Sequence, residues 1–251
     1  MQAPLRLRDF LTLGSRMRYL VWRFGWQRAS PIVVRLREGP WIKVRPAPST
    51  DLITAFEIFV SQLYEPPSPL PDVSCICDLG ANVGYSVVSF CHRFPNARVF
   101  AFEPHPVHAQ LVRDHLALNH LTARVELLPV AAGTAASTAW LTDNESSSEV
   151  REQSTTGAHQ IAVMDWLAWA GTRVIDLLKI DIEGSEKPLL ADPRFRQLQV
   201  RLLVLEWHFD ATGGSLHEAQ LALAAAGYEM IHSVQDTPHC LLVWARRKAA
   251  S

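Results

Sequence analysis

From residue 73 onward, the chain alternates short apolar runs with segments in which apolar residues recur at helical spacing. Such runs are typical of strands buried in a parallel sheet, and they predict strands at 73–79, 98–102, 125–130, 175–180, 200–205, 228–233 and 240–245. The segments between them predict helices at 85–94, 106–119, 165–170, 185–190 and 215–227. Repeated βα units imply an α/β fold with a doubly wound, mostly parallel seven-stranded sheet. The last two strands are closely linked, which implies a C-terminal antiparallel hairpin.

The first 71 residues follow another pattern, which predicts a small N-terminal α/β extension. Apolar residues at helical spacing, with arginines on the opposite side, predict a basic amphipathic helix over 5–24: Leu7, Phe10, Leu11, Met17, Val21 and Phe24. The sequence leaves open whether this helix is interrupted at Gly14-Ser15. A hairpin of 32–36 with 41–45 and a helix over 52–63 follow. Prolines between 66 and 71 indicate a boundary, so we expect an extension at 1–71 and a core at 72–251.

Charge is distributed unevenly along the chain. Residues 1–45 contain ten basic and two acidic residues, a net of +8, whereas the whole chain has a net charge of −1. The overall balance argues against a general nucleic-acid binder. The basic front end fits contact with something anionic. Three roles stay open for its helix: docking on the core, a homodimer contact and a peripheral contact with a membrane surface.

The cysteines and the N-terminus bear on the cellular compartment. Cys75, Cys77, Cys91 and Cys240 show no CxxC or Cys/His spacing of the kind that binds zinc, and we expect buried, reduced thiols. The N-terminus has arginines throughout and no apolar stretch followed by a cleavage site. We therefore expect neither a signal peptide nor a membrane-spanning helix, and we predict a cytoplasmic location.

A glycine-rich turn connects the first core strand to its helix. Gly80 and Gly84 would let the backbone approach a nucleotide-like ligand, with Asn82 in place of a middle glycine because Asn tolerates left-handed backbone. Glu103 ends the next strand, where a carboxylate can accept hydrogen bonds from both ribose hydroxyls. Turn, carboxylate and strands together predict a nucleotide-like cofactor.

Asp78 separates two cofactor classes. Its carboxylate, at the end of the first core strand, would repel a pyrophosphate but suits the ammonium of a methionine moiety. The antiparallel pair at the end of the chain also differs from a second mononucleotide-binding half. Both features favour S-adenosylmethionine over NAD. An NAD-dependent oxidoreductase and a non-catalytic binding module remain the alternative hypotheses.

The expected cofactor contacts come from the turn and from residues that follow neighbouring strands. His105 is close enough to Glu103 in sequence to approach the ribose or the adenine, and Val130 and Ala131 offer a small apolar surface for the ring. The full expected set is Asp78, Gly80, Ala81, Asn82, Gly84, Tyr85, Ser86, Glu103, Pro104, His105, Val130, Ala131 and Asp181.

Three segments of the chain together resemble the FkbM family of methyltransferases. They are DLGANVG at 78–84, FEPHP at 102–106 and LKIDIEGSE at 178–186. The resemblance runs from about residue 50 to residue 229, and the last segment is its most specific part. It implies a class I methyltransferase (Rossmann-like) fold and the cofactor S-adenosylmethionine. It further implies O-methylation of a hydroxyl on a sugar, a glycolipid or a polyketide-type acceptor.

Methyl transfer to a hydroxyl requires alignment of the acceptor and removal of its proton. Asp181 ends the fourth core strand and is the first candidate to face the methyl group, as base, acceptor-orienting residue or metal ligand. Glu183 follows it, and Lys179 is a candidate partner for Asp181. Each of these also has a structural interpretation, as an acid in a first helical turn or as an ion pair.

The fifth core strand ends in Glu206 and His208. His208 is a candidate base, with a structural histidine equally open, and Glu206 would orient it or bind an acceptor hydroxyl. Asp181 with Glu206 leaves a divalent metal such as magnesium open, but the sequence does not favour one. Residues 131–160 are polar and weakly periodic. We interpret 143–153 as an insertion on the acceptor side of the site, with a plain surface loop as the alternative.

Overall fold

The structure is a computed structural model that describes residues 10–25, 29–37, 39–143, 148–151, 159–209, 215–237 and 239–248. Its strands are β1 (Ile32–Arg35), β2 (Trp41–Val44), β3 (Cys75–Leu79), β4 (Arg98–Phe102), β5 (Val125–Leu128), β6 (Ala131–Gly133), β7 (Ser137–Asp143), β8 (Ser148–Arg151), β9 (His159–Asp165), β10 (Val174–Ile180), β11 (Gln199–His208), β12 (Tyr228–Thr237) and β13 (Cys240–Arg247). Its α-helices are α1 (Leu13–Phe24), α2 (Asp51–Phe59), α3 (Tyr85–Arg93), α4 (Pro106–Leu118), α5 (Trp166–Ala170), α6 (Glu186–Ala191) and α7 (Leu216–Ala225).

A seven-stranded sheet forms the centre of the fold, in the order β12-β13-β11-β10-β3-β4-β5. Strands β3, β4, β5, β10 and β11 are parallel, and β13 runs antiparallel to both of its neighbours, β11 and β12. This confirms the predicted doubly wound sheet with an antiparallel C-terminal hairpin. The carboxyl ends of β3, β4 and β10 meet at one edge in the middle of the sheet, where such folds bind ligands.

The N-terminal extension packs against this sheet through the same hydrophobic core. Phe10, Val34 and Ile42 lie in one buried cluster with Val83, in the turn after β3, and Val87, in α3. The predicted hairpin is confirmed as β1–β2, and the predicted helix is α2, which ends earlier than expected. Whether 1–71 and 72–251 are separate units stays a prediction.

The basic helix differs from its prediction. It begins at Leu13, with the Thr12 hydroxyl accepting from the Ser15 N–H at 3.4 Å, so Gly14 and Ser15 lie within α1 and do not interrupt it. Residues 1–9, where the earlier part was expected, lie outside the described residues. Phe10 and Leu11 are buried, as an inward-facing stripe requires, but Met17, Val21 and Phe24 face outward. The core-facing side is formed instead by buried Ser15 and by Tyr19 and Trp22.

The weakly periodic stretch after β5 forms a second sheet. Strands β6, β9, β7 and β8 lie side by side in that order, and β6 and β9 are parallel. Residues 144–147 and 152–158 lie outside the described residues, and they include most of the predicted insertion at 143–153. The segment is therefore an ordered wall beside the main sheet in the part that is described.

Within the described ranges, none of the helices has the length and apolar composition that crossing a bilayer requires.

Candidate active site

The turn between β3 and α3 has the backbone that its glycines predicted. Gly80, Asn82 and Gly84 have φ angles of 81°, 48° and 92°, so all three lie in the left-handed region and Asn82 does substitute for a glycine there. At Gly80 a Cβ atom would also lie 1.7 Å from the carbonyl oxygen of Asp181. The ends of β3 and β10 therefore approach closely enough that only glycine fits.

Glu103, at the end of β4, is tied to this turn. Its Oε2 accepts the Asn82 N–H at 2.7 Å, and its Oε1 accepts the His105 N–H at 2.8 Å. Burial raises the pKa of Glu103 to about 8, against the opposing effect of these two bonds. A carboxylate oxygen can accept more than one bond. The side chain therefore fits the chemistry of a ribose diol while it stays fixed in orientation.

A cavity of about 390 Å³ lies beside the turn and Glu103. It is lined by eight residues that the sequence predicted for the site: Gly80, Asn82, Glu103, Pro104, Val130, Ala131, Asp181 and Glu183. Further walls come from the second sheet: Thr134, Ser137, Thr138, Ala139, Leu141 and Val163. The structure thus brings most of the predicted cofactor contacts and two of the predicted catalytic residues to one cavity.

Asp78 is placed differently from its prediction. Its side chain is fully buried beneath the turn and is not part of the cavity wall. The Ser86 hydroxyl donates to its Oδ2 at 2.6 Å, and Lys179 Nζ lies 3.2 Å from its Oδ1. The carboxylate is already neutralised inside the protein, so the predicted direct contact with an ammonium group is not what this geometry offers.

Four other predicted cofactor residues do not line the cavity, and their contacts hold the surrounding elements in place. Ala81 is buried, and its N–H donates to the Phe102 carbonyl at 2.9 Å. Gly84 caps α3, and the Tyr85 hydroxyl donates to the Lys43 carbonyl in β2 at 2.8 Å, away from the cavity. His105 caps α4, where its Nδ1 accepts from the first turn of the helix, so its ring does not line the cavity.

Lys179 occupies the space between two carboxylates. It is 2% exposed, its Nζ lies 3.3 Å from Asp181 Oδ2, and it donates to the Gly80 carbonyl at 2.9 Å. Burial alone would lower the pKa of Lys179, but the charges of Asp78 and Asp181 outweigh it and raise that pKa. Lys179 therefore stays charged and acts as an internal counter-ion, with no free position to act on an acceptor.

The loop after β10 has a constrained backbone. Glu183 has a φ of 50° and Gly184 of 94°. Burial, together with the charge of Asp181, raises the pKa of Glu183 to about 7. Strained backbone of this kind persists only where surrounding contacts hold it, and it is frequent at functional sites.

Ligand atoms of His208 and Glu206 lie within 4.8 Å of each other, and each of these two residues also meets a residue from another element. His208 Nδ1 lies 3.0 Å from Glu186 Oε1, and its Nε2 lies 3.6 Å from Glu183 Oε2. The Tyr64 hydroxyl donates a short hydrogen bond to Glu206 Oε1. Glu206 is therefore held by the N-terminal extension, and the acid that orients His208 is Glu186.

Sequence reasoning assigned no site role to His108 or Tyr64, and it left Glu186 open between a catalytic role and that of a first-turn acid. His108 lines the cavity, with its Nδ1 3.8 Å from Glu103 Oε1, although its helical position predicted a surface or packing role. Glu186 is the partner of His208, and Tyr64 comes from outside the core. His108 could have been found from its place in the first turn of α4, which follows Glu103 closely in the chain. A long-range pair such as Tyr64–Glu206 leaves no local signal in the sequence.

Two groups of side chains lie close enough together to share a cation. Ligand atoms of Asp181, Glu183 and His208 lie within 4.8 Å of one another, as do those of Glu206, His208 and Cys240. Asp181 and Glu206, the pair considered from sequence, do not belong to the same group. Proximity alone does not assign a metal here, because His208 is already engaged by Glu186 and Glu183.

Comparison with known proteins decides the family. A family model described as the methyltransferase FkbM domain matches residues 78–230, more than half of the chain. The chain belongs to the FkbM methyltransferase family. The match begins at Asp78 and includes β10 with its loop and β11, so both sides of the cavity lie within the FkbM domain.

Relatives of this FkbM protein are named as methyltransferases. Methyltransferase sdnD from Sordaria araneosa is 26% identical over 189 residues, covering 60% of this chain and 73% of sdnD. The 2-O-methyltransferase NoeI from Sinorhizobium fredii is 25% identical over 186 residues, covering 66% of this chain and 72% of NoeI.

Solved structures agree on the fold. TYW2 from M. jannaschii in complex with AdoMet has a TM-score of 0.50 at 12% identity and covers 88% of each chain. A Pyrococcus horikoshii protein described as a transferase has a TM-score of 0.55 at 12% identity, covering 94% of this chain and 84% of that one. The fold is that of a class I methyltransferase.

The family, the fold and the cavity together identify this chain as an S-adenosylmethionine-dependent methyltransferase. The donor set fits the cofactor, because a left-handed glycine turn and a fixed carboxylate face one cavity. Neither the NAD-dependent oxidoreductase nor the non-catalytic binding module is favoured by the comparisons.

Proposed function

We propose that this FkbM protein methylates a hydroxyl group of a sugar, glycolipid or polyketide-type acceptor. The observation that carries the proposal is that Asp181 and Glu183 face the same cavity as the glycine turn and Glu103. Two acids thus lie next to the residues that we assign to the cofactor. The name of the relative NoeI, a 2-O-methyltransferase, supports transfer to oxygen.

The donor side of the cavity is formed by Gly80, Asn82 and Glu103, with Val130 and Ala131 beside them. The turn would admit S-adenosylmethionine close to backbone N–H groups, Glu103 would accept hydrogen bonds from its ribose, and the small apolar side chains would lie against its adenine ring. S-adenosylmethionine, when bound, supplies an electrophilic methyl group on a sulfonium centre. Asp181, held by Lys179, orients the acceptor hydroxyl toward it.

The acceptor side involves the second sheet. Ser137 and Thr138 contribute hydroxyl groups to the cavity wall, and Leu141 and Val163 contribute apolar surface. Hydroxyl-lined and apolar surfaces together suit a polyol with an apolar ring face or lipid part. The role of 143–153 as an acceptor-side insertion remains part of the proposal, with 144–147 and 152–153 outside the described residues.

The test is methyl transfer to defined acceptors. A panel of methyl glycosides and a lipid-linked sugar is incubated with the protein and S-adenosylmethionine, and products are examined by mass spectrometry for the gain of one methyl group on oxygen. We expect Asp181→Asn to lower kcat about 100-fold or more while cofactor affinity measured by calorimetry stays nearly unchanged. Asp192→Asn, at an exposed pair with Arg194, is the matched control.

Either of two results would refute this function. One is a folded protein that binds no S-adenosylmethionine, and the other is methyl transfer that is found on nitrogen or carbon alone. Full activity in Asp181→Asn would remove that residue from the catalytic site.

We also propose that α1 brings the protein to an anionic membrane surface, where a lipid-linked acceptor resides. Its outward side carries a continuous apolar stripe of exposed side chains: Leu13, Met17, Leu20, Val21 and Phe24. Arg16 and Arg23 flank the stripe, and no acidic residue lies in the helix. Apolar residues flanked by arginines are typical of helices that lie in a membrane interface. In a symmetric pairing of two α1 helices, these arginines would oppose one another.

Sedimentation with vesicles tests this contact. We expect binding to phosphatidylglycerol vesicles, weaker binding to phosphatidylcholine vesicles, and loss of binding in Met17→Glu/Val21→Glu. Ile53→Glu, at an exposed position on α2, is the control. Equal binding of the double variant, or a stripe-dependent dimer in analytical ultracentrifugation without vesicle binding, would contradict the proposal. A cytoplasmic location belongs to the same proposal, and the four free cysteines fit it.

A further inference from the structure

Glu186 connects two segments of the site through one carboxylate oxygen. Its side chain is buried, and its Oε1 accepts the N–H groups of Ile182 at 3.0 Å and Gly184 at 3.1 Å. The same atom lies 3.0 Å from His208 Nδ1 at the end of β11. Its Oε2 is buried without a hydrogen-bond partner among the described residues. A buried carboxylate oxygen left unpaired reduces stability, so this arrangement calls for an explanation beyond packing.

His208 lies between acids on both of its ring nitrogens. Glu186 faces its Nδ1 and Glu183 faces its Nε2. Asp181, directly after β10, is close enough for its charge to act on the ring. Cys240 on β13 is the register partner of His208, and Glu206 lies two residues before His208 on β11. Burial acts to lower the pKa of His208, but contacts with Cys240 and Glu186 and the charge of Asp181 outweigh it and raise that pKa to about 12. Carboxylates lie against both ring nitrogens and the ring does not line the cavity, so we assign His208 a positioning role and not that of the base.

Glu183 differs from Asp181 in how it is held. The Asp181 carboxylate lies 3.3 Å from the Lys179 ammonium, a fixed counter-ion. Glu183 lies on the cavity wall on strained backbone, 3.6 Å from the His208 edge, and has a pKa of about 7. The charges of Asp181, Glu186 and Lys179 also act on it. A group near neutral pKa at a cavity wall can accept a proton in one step and release it to solvent in the next.

We propose that Glu183 accepts the proton of the acceptor hydroxyl, and that Glu186 and His208 are positioning residues that hold it at the cavity wall. This rests on the proposed O-methylation. In the step, the hydroxyl oxygen forms a bond to the methyl carbon, and the carbon–sulfur bond breaks with its electron pair left on sulfur. The hydroxyl proton passes to the Glu183 carboxylate, while Asp181 orients the hydroxyl.

The first experiment needs no acceptor. Ring ¹⁵N and ¹H NMR signals of His208, assigned by their loss in His208→Asn, are followed with pH in the full chain. We expect both ring nitrogens to stay protonated throughout the neutral range. In Glu186→Gln, which keeps the size of the side chain, the pKa of His208 should fall by about 1–3 units. A wild-type His208 that titrates near its ordinary value of about 6.5, or an unchanged value in the variant, would overturn the proposal.

The second experiment measures kcat on whichever acceptor the mass-spectrometric panel identifies. Glu183→Gln should lower kcat by about 10²–10⁴-fold with unchanged cofactor affinity. His208→Asn keeps a donor for Glu186 but loses the edge that faces Glu183, and it should lower kcat about 100-fold. In wild type, kcat should fall below about pH 7, because Glu183 must be unprotonated. His208→Asn should move this acid limb to higher pH, because the imidazolium that favours the carboxylate is gone.

Glu218→Gln, at an exposed ion pair with Lys187, is the matched control and should behave as wild type. Wild-type kcat and pH profile in His208→Asn would show that His208 is merely structural and would overturn the proposal. If Glu186→Gln does not fold, His208→Asn and Glu183→Gln still decide it. Failure of cofactor binding would refute the proposed function instead, whereas the NMR titration of His208 does not depend on cofactor binding.

Discussion

Replacing Lys179 by methionine should destabilise the protein strongly, because it leaves the Asp78 carboxylate buried without its counter-ion. Lys179 is 2% and Asp78 0% exposed, and the charged atoms lie 3.2 Å apart. At an effective dielectric constant of about 20, two charges at this distance attract by about 5 kcal/mol. Loss of one partner from a buried pair typically costs about 3–5 kcal/mol. We expect the free energy of unfolding to fall by about that amount.

Denaturant unfolding, followed by circular dichroism at neutral pH, measures this loss. Asp78→Asn alone should cost less, because Lys179 retains Asp181 and the Gly80 carbonyl. The double variant Lys179→Met/Asp78→Asn should recover much of the loss, which gives a favourable coupling energy in a double-mutant cycle. Burial raises the pKa of Asp78 even beside Lys179. Without the ammonium that pKa rises further, so the loss should shrink as the pH falls and Asp78 becomes protonated. A loss below about 1 kcal/mol, or strict additivity of the two changes, would refute the reasoning.

Three further changes test other parts of the site. Gly80→Ala should abolish cofactor binding measured by calorimetry, because its Cβ would lie 1.7 Å from a backbone oxygen; Gly14→Ala, where nothing lies within 4 Å, should bind normally. Glu103→Ala should weaken cofactor binding about 100-fold by removing two hydrogen bonds to the ribose, whereas the exposed Glu126→Ala should not. Wild-type affinity in Glu103→Ala would contradict that carboxylate's role. Tyr64→Phe should lower the free energy of unfolding by about 1–3 kcal/mol, because it removes a hydrogen bond to the Glu206 carboxylate, and an unchanged denaturation midpoint would show that the hydroxyl is dispensable.

The central sheet and the cofactor turn were predictable because their signals are local. Apolar runs mark β3 to β5 and β10 to β13, and left-handed positions at Gly80 and Gly84 can be recognised from residue type alone. The parallel arrangement then brings the ends of β3, β4 and β10 to one edge. For that reason Glu103, Asp181 and Glu183 were correctly expected to lie together.

The second sheet was not predictable in the same way. Strands β6 and β8 are short, and β6 pairs with a partner far along the chain, as Ala131 does with Val163. Hydrophobic periodicity reveals strands that bury one face strongly. In this region the buried cluster is small and consists of Ala131, Ala139, Leu141 and Ile161. The sequence therefore predicted no strands over 131–160, and only 143–153 was interpreted as an acceptor-side insertion.

By itself, the sequence determined the elements, the order of the turns and the identity of the chemical groups, because these depend on neighbours along the chain. Tertiary structure alone decided which group each acid meets. Asp78 and Asp181 end parallel strands alike, yet the first is enclosed with Lys179 and the second faces the cavity. Burial and charge partners come from residues up to 142 positions away, as in Tyr64 and Glu206, and they set the protonation of each acid. The family segment therefore identified a methyltransferase, while the roles of Glu183, Glu186 and His208 emerged only from their distances.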